Sequence, residues 1–320
     1  MSTSTHPSST ASATASTTTG GQDKLTALHE QISDGVAALV ESDAWRAMLD
    51  TAAKFHSYSL GNLLLIALQA PQATRVAGFR SWQSLGRQVR KGERGIAILA
   101  PCTYRPKTAD RAEPVAPAGH EPATTSTGGL ALDAGGKKQF RGFRAVHVFD
   151  VVQTEGDALP DVAPTLLVGQ APAGLWDDLA GQVAGHGYAL ERGDCGGANG
   201  YTDPTRRVVR IRDDIDDAHA VKTLAHELGH LECGHVADLP TYLTCRGRCE
   251  VEAESVAYVV AAAHGLDASG YTFAYVAGWA KGDLSHVRQA AETVTKAART
   301  ILGHCSADID TAPDDLADPA

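Results

Sequence analysis

The segment "AHELGHLECGH" at residues 225–235 constrains the fold more than any other stretch of the chain. His226 and His230 are four positions apart, so a helix presents both imidazoles on the same face. Histidines at this spacing are typical of a zinc-binding helix, and Glu227 between them is placed to take a proton from a water molecule. The pattern therefore predicts an amphipathic helix that supplies zinc ligands and needs a third ligand from another element.

Zinc peptidases that share this helix differ in where the third ligand lies. A histidine at the metzincin position is excluded because that residue is Val236, and His235 is one position short. A glutamate is available instead, since Glu250 in "CEVEAESVAY" follows His230 by twenty positions. We predict that Glu250 is the third zinc ligand and that Glu254, one helical turn later, accepts the second N–H of a ligating histidine. The sequence leaves open whether these two glutamates exchange roles.

The predicted chemistry is zinc-dependent peptide hydrolysis, in which Glu227 is the general base and later gives its proton to the leaving amine. The alternative is that the histidines face solvent and the glutamates form a solvated helix face. Glu252 is expected to point elsewhere on its helix. His235 and His264 are expected to be local polar residues rather than ligands. The CxxxC spacing of Cys245 and Cys249 is a weak metal pattern because no second pair accompanies it.

A basic segment precedes the histidine helix, although the whole chain has a net charge of −10. Residues 55–107 contain eight Lys or Arg and one acid, Glu93, whereas residues 303–320 contain five Asp and no base. Cations follow a phosphate backbone, and aromatic faces stack on unpaired bases. The alternative is that the aromatic residues, among them Tyr58 and Phe79, belong to the core and the cations only solubilise the chain. The residues predicted to contact single-stranded DNA are Arg75, Arg80, Trp82, Arg87, Arg90, Lys91 and Arg94.

Local patterns predict where ordered structure begins and ends. Apolar residues recur at helical spacing over residues 23–54, and a second helical run continues to Pro71. The segment "GIAILAP" is predicted to be a strand that ends at Pro101, and "RAVHVFDV" alternates like a second strand. The remaining helices are predicted from "PAGLWDDLAGQVAGHG" and from the segments that contain and follow the histidine motif.

Composition divides the chain into an α+β protein with two domains. Residues 1–22 are rich in Ser, Thr and Ala and are predicted to be a disordered tail. The predicted domains are an N-terminal α+β DNA-binding domain and a mostly helical zincin-like domain of the gluzincin type with a small sheet. Residues 23–160 form the first domain, with a low-complexity insertion at 105–138, residues 161–305 form the second, and residues 306–320 form an acidic disordered tail.

Both halves of the sequence resemble parts of known families. "AHELGHLECGH…EVEAESVAY" resembles the ImmA/IrrE metallopeptidase domains and the related zincin domain of ArdC-type antirestriction proteins, over roughly residues 200–265. The segments "GFRSWQSLGRQVRKGERGI" and "VFDVVQTEGDALP" resemble the N-terminal single-stranded-DNA-binding domain of the ArdC type, over about residues 25–160. The insertion and the acidic tail depart from that pattern.

The resemblance implies a protein of plasmids or conjugative elements that protects incoming DNA from restriction. Its implied cofactor is Zn²⁺, and its implied partners are single-stranded DNA and a protein substrate that the sequence does not identify. Two alternatives stay open: a regulatory protease that cleaves a repressor, and a DNA-binding protein with a structural zinc site. No apolar run approaches transmembrane length and no signal peptide is recognisable, so we expect a cytoplasmic protein with free thiols and no membrane partner.

Overall fold

The computed structural model describes residues 16–104, 139–159, 169–237, 239–268 and 283–305. The predicted N-terminal tail is described only from Ser16, where a helix begins. The predicted insertion at 105–138 and the acidic tail at 306–320 lie outside the described residues. Within the described ranges, no helix combines the length and the apolar character that crossing a membrane requires.

Helices form the first part of the described chain. They are α1 (Ser16–Ala38), α2 (Ser42–Lys54) and α3 (Leu60–Gln69). Their apolar side chains recur at helical spacing and face one core, as Trp45 of α2 and Leu65 of α3 do. The sequence predicts helix throughout residues 23–54, whereas the structure has a turn at residues 39–41. Leu39 in this turn is buried, so the turn still contributes an apolar side chain to the core.

A small antiparallel sheet follows the helices. Its order is β1 (Val76–Gly78), β4 (Gln139–Asp150) and β3 (Ile96–Tyr104). The prediction that Pro101 ends the strand is wrong, because β3 continues to Tyr104. Pro101 is tolerated there because β3 lies at the sheet edge, where a missing N–H need not break a ladder.

Shorter elements flank this sheet. Helix α4 (Phe79–Ser84) follows β1 directly and covers only the first part of the segment "GFRSWQSLGRQV". Strands β2 (Arg87–Val89) and β5 (Thr154–Gly156) pair as a two-stranded antiparallel ribbon. A 3-10 helix at Val151–Gln153 joins β4 to β5, and its capping Asp150 also accepts hydrogen bonds from the N–H groups of Thr74 and Arg75.

The second half of the chain is mostly helical with one small sheet, as predicted. Its sheet has the order β6 (Ala189–Arg192), β8 (Val208–Ile211) and β7 (Gly200–Asp203), with β6 parallel and β7 antiparallel to the central strand. The elements in chain order are α5 (Leu175–Gly185), β6 (Ala189–Arg192), β7 (Gly200–Asp203), β8 (Val208–Ile211), α6 (Asp217–Glu232), α7 (Leu239–Ala263) and α8 (Leu284–Cys305).

One hydrophobic core runs through both halves of the described chain. Helix α2 packs on α7, and the Trp45 indole N–H donates a 3.0 Å hydrogen bond to the buried Ser255 hydroxyl. The Tyr258 hydroxyl on the next turn of α7 donates to Asp50 of α2. Arg299 of α8 donates to the His56 carbonyl at 2.9 Å. The helix that carries Glu250 and Glu254 is therefore anchored directly on the N-terminal helices.

Candidate metal centre and nucleic-acid interface

Helices α6 and α7 bring His226, His230 and Glu250 together because their backbones approach closely. Helix α6 begins after β8, where the Asp216 carboxylate caps it by accepting from the His219 N–H at 2.8 Å. Gly229, inside the "HELGH" motif, faces α7: a Cβ atom there would lie 3.2 Å from the Ala253 carbonyl oxygen. The small residue allows this approach, and it places the Glu250 turn of α7 beside the histidine face of α6.

The three predicted ligands meet at one point. The Nε2 atoms of His226 and His230 are 3.2 Å apart. Glu250 Oε2 lies 3.6 Å from His226 Nε2 and 3.7 Å from His230 Nε2. Ligands about 2.0–2.2 Å from a tetrahedral zinc ion are separated by roughly 3.4 Å, so the triangle matches the size of a zinc site. The donor set of two imidazoles and one carboxylate also fits a divalent metal of this kind.

Neighbouring side chains fix two of these ligands. Glu254 Oε2 lies 3.0 Å from His226 Nδ1, so the carboxylate accepts this N–H and leaves Nε2 directed at the cluster. The Tyr242 hydroxyl donates to Glu250 Oε1 at 2.6 Å, so the other carboxylate oxygen remains for a metal. Glu250 thus lies where a third ligand would lie, and Glu254 lies where it can orient His226. Nothing in the local sequence identifies Tyr242, because α7 departs from helical geometry at Cys245 and periodicity does not extend across that kink.

Glu227 lies on the same helix but has different surroundings. Its side chain is only 6% exposed, and the Thr202 hydroxyl donates to Glu227 Oε2 at 2.7 Å. Thr202 belongs to β7, which is an edge strand of its sheet. One carboxylate oxygen is therefore held by β7, which pairs with a strand on one side only in the described part of the chain. The contribution of Thr202 is not apparent in the sequence because no motif marks it.

The electrostatics of the cluster favour a protonated histidine in the metal-free chain. Burial acts to lower the pKa of His226, but hydrogen bonds with Glu250 and Glu254 outweigh it and raise that pKa to about 10. Contacts with His226 and His230 hold the pKa of Glu250 far below its usual range. An ion-pair cluster of this kind attracts a cation, since a divalent ion can replace the proton and satisfy the same carboxylate.

Zinc binding at pH 7 should release about one proton from His226. This ring is protonated below its raised pKa of about 10, so apparent zinc affinity should increase as the pH rises toward that value. The same shift stabilises the metal-free fold most below about pH 6.5, and this stabilisation is lost as the pH rises through about 10. A pH indicator in weakly buffered protein measures the released proton.

The variant Glu254→Gln removes one group that raises the pKa of His226 and should reduce this proton release. Glu292→Gln, on an exposed face of α8, serves as the control and should behave like the wild type. Equal proton release by wild type and Glu254→Gln would contradict the assignment.

Other predicted polar residues lie around the centre without joining it. His264 Nδ1 is 2.9 Å from the Val260 carbonyl of its own helix, which agrees with a local polar role. His235 is less local than expected, because its Nδ1 lies 3.0 Å from His230 Nδ1. Glu252 points away from the cluster, as expected, but its Oε2 lies 2.8 Å from His235 Nε2. Both residues therefore contact the metal centre indirectly.

The structure contradicts the assignment of Trp82 as a DNA contact. Its side chain is 0% exposed, and its indole N–H donates to the Phe149 carbonyl at 2.9 Å. A ring buried in this way has no face on which a base can stack, so Trp82 is a core residue. The exposed aromatic residue of the same motif is Phe79, which is 48% exposed and packs edge-on against Phe149.

Two of the predicted basic residues are engaged within the fold. The Arg87 guanidinium donates to the Thr154 hydroxyl at 2.8 Å and to carbonyl groups of β5 and the following residue. Arg90 forms a 3.0 Å ion pair with Glu93 and also donates to the Val152 carbonyl at 2.6 Å. Arg87 is thus a structural tie between β2 and β5, while Arg90 is held in place but is still half-exposed.

The remaining basic side chains flank the 3-10 turn after β4. Gln153 donates to the Arg94 carbonyl at 2.9 Å, and the Arg75 carbonyl accepts from the Val151 N–H at 2.9 Å. The side chains of Lys91 and Arg94 are exposed, and that of Arg75 is half-exposed. Among the described residues, none of these side chains has a hydrogen-bond or ion-pair partner, and the same holds for exposed Arg80 beside Phe79.

Comparisons with known proteins agree with the N-terminal fold. Residues 25–149 match the family described as the N-terminal domain of anti-restriction factor ArdC. The match confirms the resemblance noted for this part of the chain. The match ends before the metal centre, whose interpretation depends on its own geometry. A search of curated proteins finds no match.

Solved structures of the antirestriction protein ArdC from the R388 plasmid also match the chain. The metal-free structure has a TM-score of 0.45 and 22% identity, covering 77% of this chain and 84% of that one. The Mn(II)-bound structure has a TM-score of 0.42 and 21% identity, covering 78% of this chain and 89% of that one.

Proposed function

We propose that this chain is a single-stranded-DNA-binding antirestriction protein that carries a zinc-dependent peptidase centre. The observation that supports the peptidase most directly is the ligand triangle of His226, His230 and Glu250, with the buried Glu227 carboxylate beside it. The ArdC-type domain at residues 25–149 supports the DNA-binding and antirestriction part. In this proposal the metal is Zn²⁺, because imidazole and carboxylate ligands in a small tetrahedral set suit it.

His226, His230 and Glu250 would hold the ion, and Glu254 and Tyr242 would orient His226 and Glu250. When bound, zinc supplies Lewis-acid chemistry, which acidifies a water molecule and polarises a carbonyl group. Glu227 would act as the base that takes a proton from a water molecule at this site and then gives it to the leaving amine. The Thr202 hydrogen bond holds one oxygen of Glu227 and leaves the other to move the proton.

The edge of β7 suits an extended peptide as the substrate. An edge strand presents unpaired backbone N–H and C=O groups, and an added strand can pair with them. Because Thr202 of β7 contacts Glu227, a peptide along this edge would have its backbone next to the base. The substrate class is therefore an unfolded or extended protein segment rather than a small molecule.

The proposed DNA surface consists of Arg75, Arg80, Lys91 and Arg94 with the exposed ring of Phe79. Cations that have no partner among the described residues remain available for phosphate groups, and an exposed aromatic face can stack on an unpaired base. Arg90 contributes its charge at the same turn, while Arg87 shapes the strand pair beneath it. Single strands are favoured over duplex because stacking on Phe79 requires an unpaired base.

The double variant Lys91→Ala/Arg94→Ala should weaken binding to a labelled single-stranded oligonucleotide. Each lost phosphate contact reduces the salt slope of log K by about 0.7, so the double variant should lose roughly 1.4 from that slope. Phe79→Ala should cost about 1–3 kcal/mol with little change in slope, because it removes stacking rather than charge. Fluorescence anisotropy across a salt series measures both effects.

The matched control is Arg288→Ala/Lys296→Ala, which removes the same charge from exposed positions on α8. This control should bind like the wild type. If both double variants weakened binding equally, the effect would come from net charge, and the proposed surface would be wrong. Duplex DNA of the same sequence should bind more weakly than the single strand.

A further inference from the structure

We propose that His235 and Glu252 are positioning residues that hold His230 in the tautomer whose Nε2 can bind a metal. The inference rests on the proposed metal centre and assigns residues that take no part in the ligand triangle. A buried chain of hydrogen bonds carries it: His230 Nδ1 lies 3.0 Å from His235 Nδ1, and His235 Nε2 lies 2.8 Å from Glu252 Oε2. All three side chains are buried.

The end of α6 places His235 against His230 through a Schellman motif. Gly234 has a φ of +75°, and its N–H donates to the Leu231 carbonyl at 3.0 Å. The His235 N–H donates to the His230 carbonyl, also at 3.0 Å. This pair of bonds is the Schellman pattern, which brings the residue after the glycine onto the last helical turn. The short sequence "HLECGH" therefore encodes the contact between the two rings.

The direction of the hydrogen bonds follows from Glu252. An ionised carboxylate only accepts hydrogen bonds, so His235 must carry its proton on Nε2 and present a lone pair on Nδ1. That lone pair accepts the Nδ1–H of His230. The lone pair of His230 is then on Nε2, the atom that faces Glu250 Oε2 at 3.7 Å. Arg248 Nε lies 3.5 Å from Glu252 Oε1, so the buried carboxylate has a cationic partner on its other oxygen.

The two ligating histidines are thus oriented from opposite sides. Glu254 accepts the Nδ1–H of His226 directly, whereas Glu252 acts on His230 through His235. Groups of this kind fix the ring orientation and raise the basicity of a ligand, and their loss costs about 10–100-fold in metal affinity. One helix, α7, therefore supplies a ligand and both orienting carboxylates.

The alternative is that these residues bind a second metal ion. His235, Cys249 and Glu252 have possible ligand atoms within 4.8 Å of one another. An ion on His235 Nε2 would force the proton of that ring to Nδ1. His230 also needs its proton on Nδ1 when Nε2 binds a metal. Two N–H groups would then face each other across 3.0 Å, so the geometry favours the positioning role.

The test compares full-length wild type with His235→Leu and His235→Asn by zinc competition against a chromophoric chelator. His235→Leu should bind zinc about 10–100-fold more weakly, because it removes the acceptor for His230. His235→Asn should recover most of the affinity, because its side-chain oxygen can accept the same hydrogen bond. Glu252→Gln keeps a hydrogen bond but loses the charge, so its zinc affinity should lie between those of the two His235 variants. It still tests the inference if His235→Leu does not fold. His286→Asn, at an exposed site on α8, is the control.

A second readout needs no bound metal. Ring ¹⁵N shifts of the metal-free protein should show His230 protonated on Nδ1 in the wild type and in His235→Asn, and not in His235→Leu. If the wild type did not bind zinc, the proposed metal centre would be wrong. The ¹⁵N shifts would still test the tautomer of His230. Equal zinc affinity in all variants, or equal loss in both His235 variants, would overturn the inference. A thiolate-to-cobalt charge-transfer band that Cys249→Ser removes and Cys102→Ser leaves would also overturn it, in favour of a second metal site.

Discussion

The variant Glu227→Gln should retain zinc but hydrolyse peptides about 10²–10⁴-fold more slowly than the wild type. This factor is the usual contribution of a general acid–base group. Glutamine has nearly the shape of glutamate and can still accept the Thr202 hydrogen bond, so the fold and the metal ligands are undisturbed. It cannot take up a proton from water. Hydrolysis of fluorescein-labelled casein, measured together with zinc content by mass spectrometry, separates the loss of the base from the loss of the metal.

Glu232→Gln is the matched control because it lies on the same helix and pairs with His186 at 2.7 Å, away from the ligand triangle. It should keep the wild-type rate. A wild-type protein that binds zinc but cleaves no peptide would instead support a structural metal site. Hydrolysis that survives Glu227→Gln at the full rate would remove Glu227 from the mechanism. A protein that cleaves peptides but does not bind single-stranded DNA would support the alternative of a regulatory protease.

Helical periodicity and motif spacing were sufficient to predict that His226, His230 and Glu250 lie close together. His226 and His230 must share a face at their spacing, and Glu250 falls on a neighbouring helix whose packing is permitted by Gly229. Periodicity did not predict the contact between His235 and His230, because the position of His235 depends on the left-handed turn at Gly234. Tyr242 and Thr202 were likewise hidden, since their contacts depend on how separate elements pack.

In the basic segment, composition predicted the kind of residues present but not their orientation. Composition indicated that cations and aromatic rings lie close together, but it could not tell which rings face inward. Trp82 is buried because α4 packs against β4, whereas Phe79, three residues earlier, stays exposed. Arg87 looked like a phosphate contact and is a tie to β5. The strand pairing determines which charged groups form internal hydrogen bonds, and the sequence does not give that pairing.

Trp45→Ala should destabilise the whole described fold by about 3–5 kcal/mol, the usual cost of truncating a buried aromatic side chain. Trp45 is 0% exposed in the interface between α2 and α7, and its loss also leaves the buried Ser255 hydroxyl without its donor. Trp45→Phe keeps most of the ring volume and should cost about 1–2 kcal/mol, mainly for the lost hydrogen bond. Denaturant unfolding followed by circular dichroism measures both variants.

Trp176→Ala is the control for this experiment because that ring is only half-buried, beside Arg192, and should cost less. Since Ser255 follows Glu254 directly on α7, Trp45→Ala should also weaken zinc binding, although position 45 is remote in sequence from every ligand. The continuous core predicts one cooperative transition for both halves. If Trp45→Ala instead unfolded the N-terminal helices alone and left zinc binding intact, the two halves would be independent units, and zinc binding would not depend on the N-terminal helices.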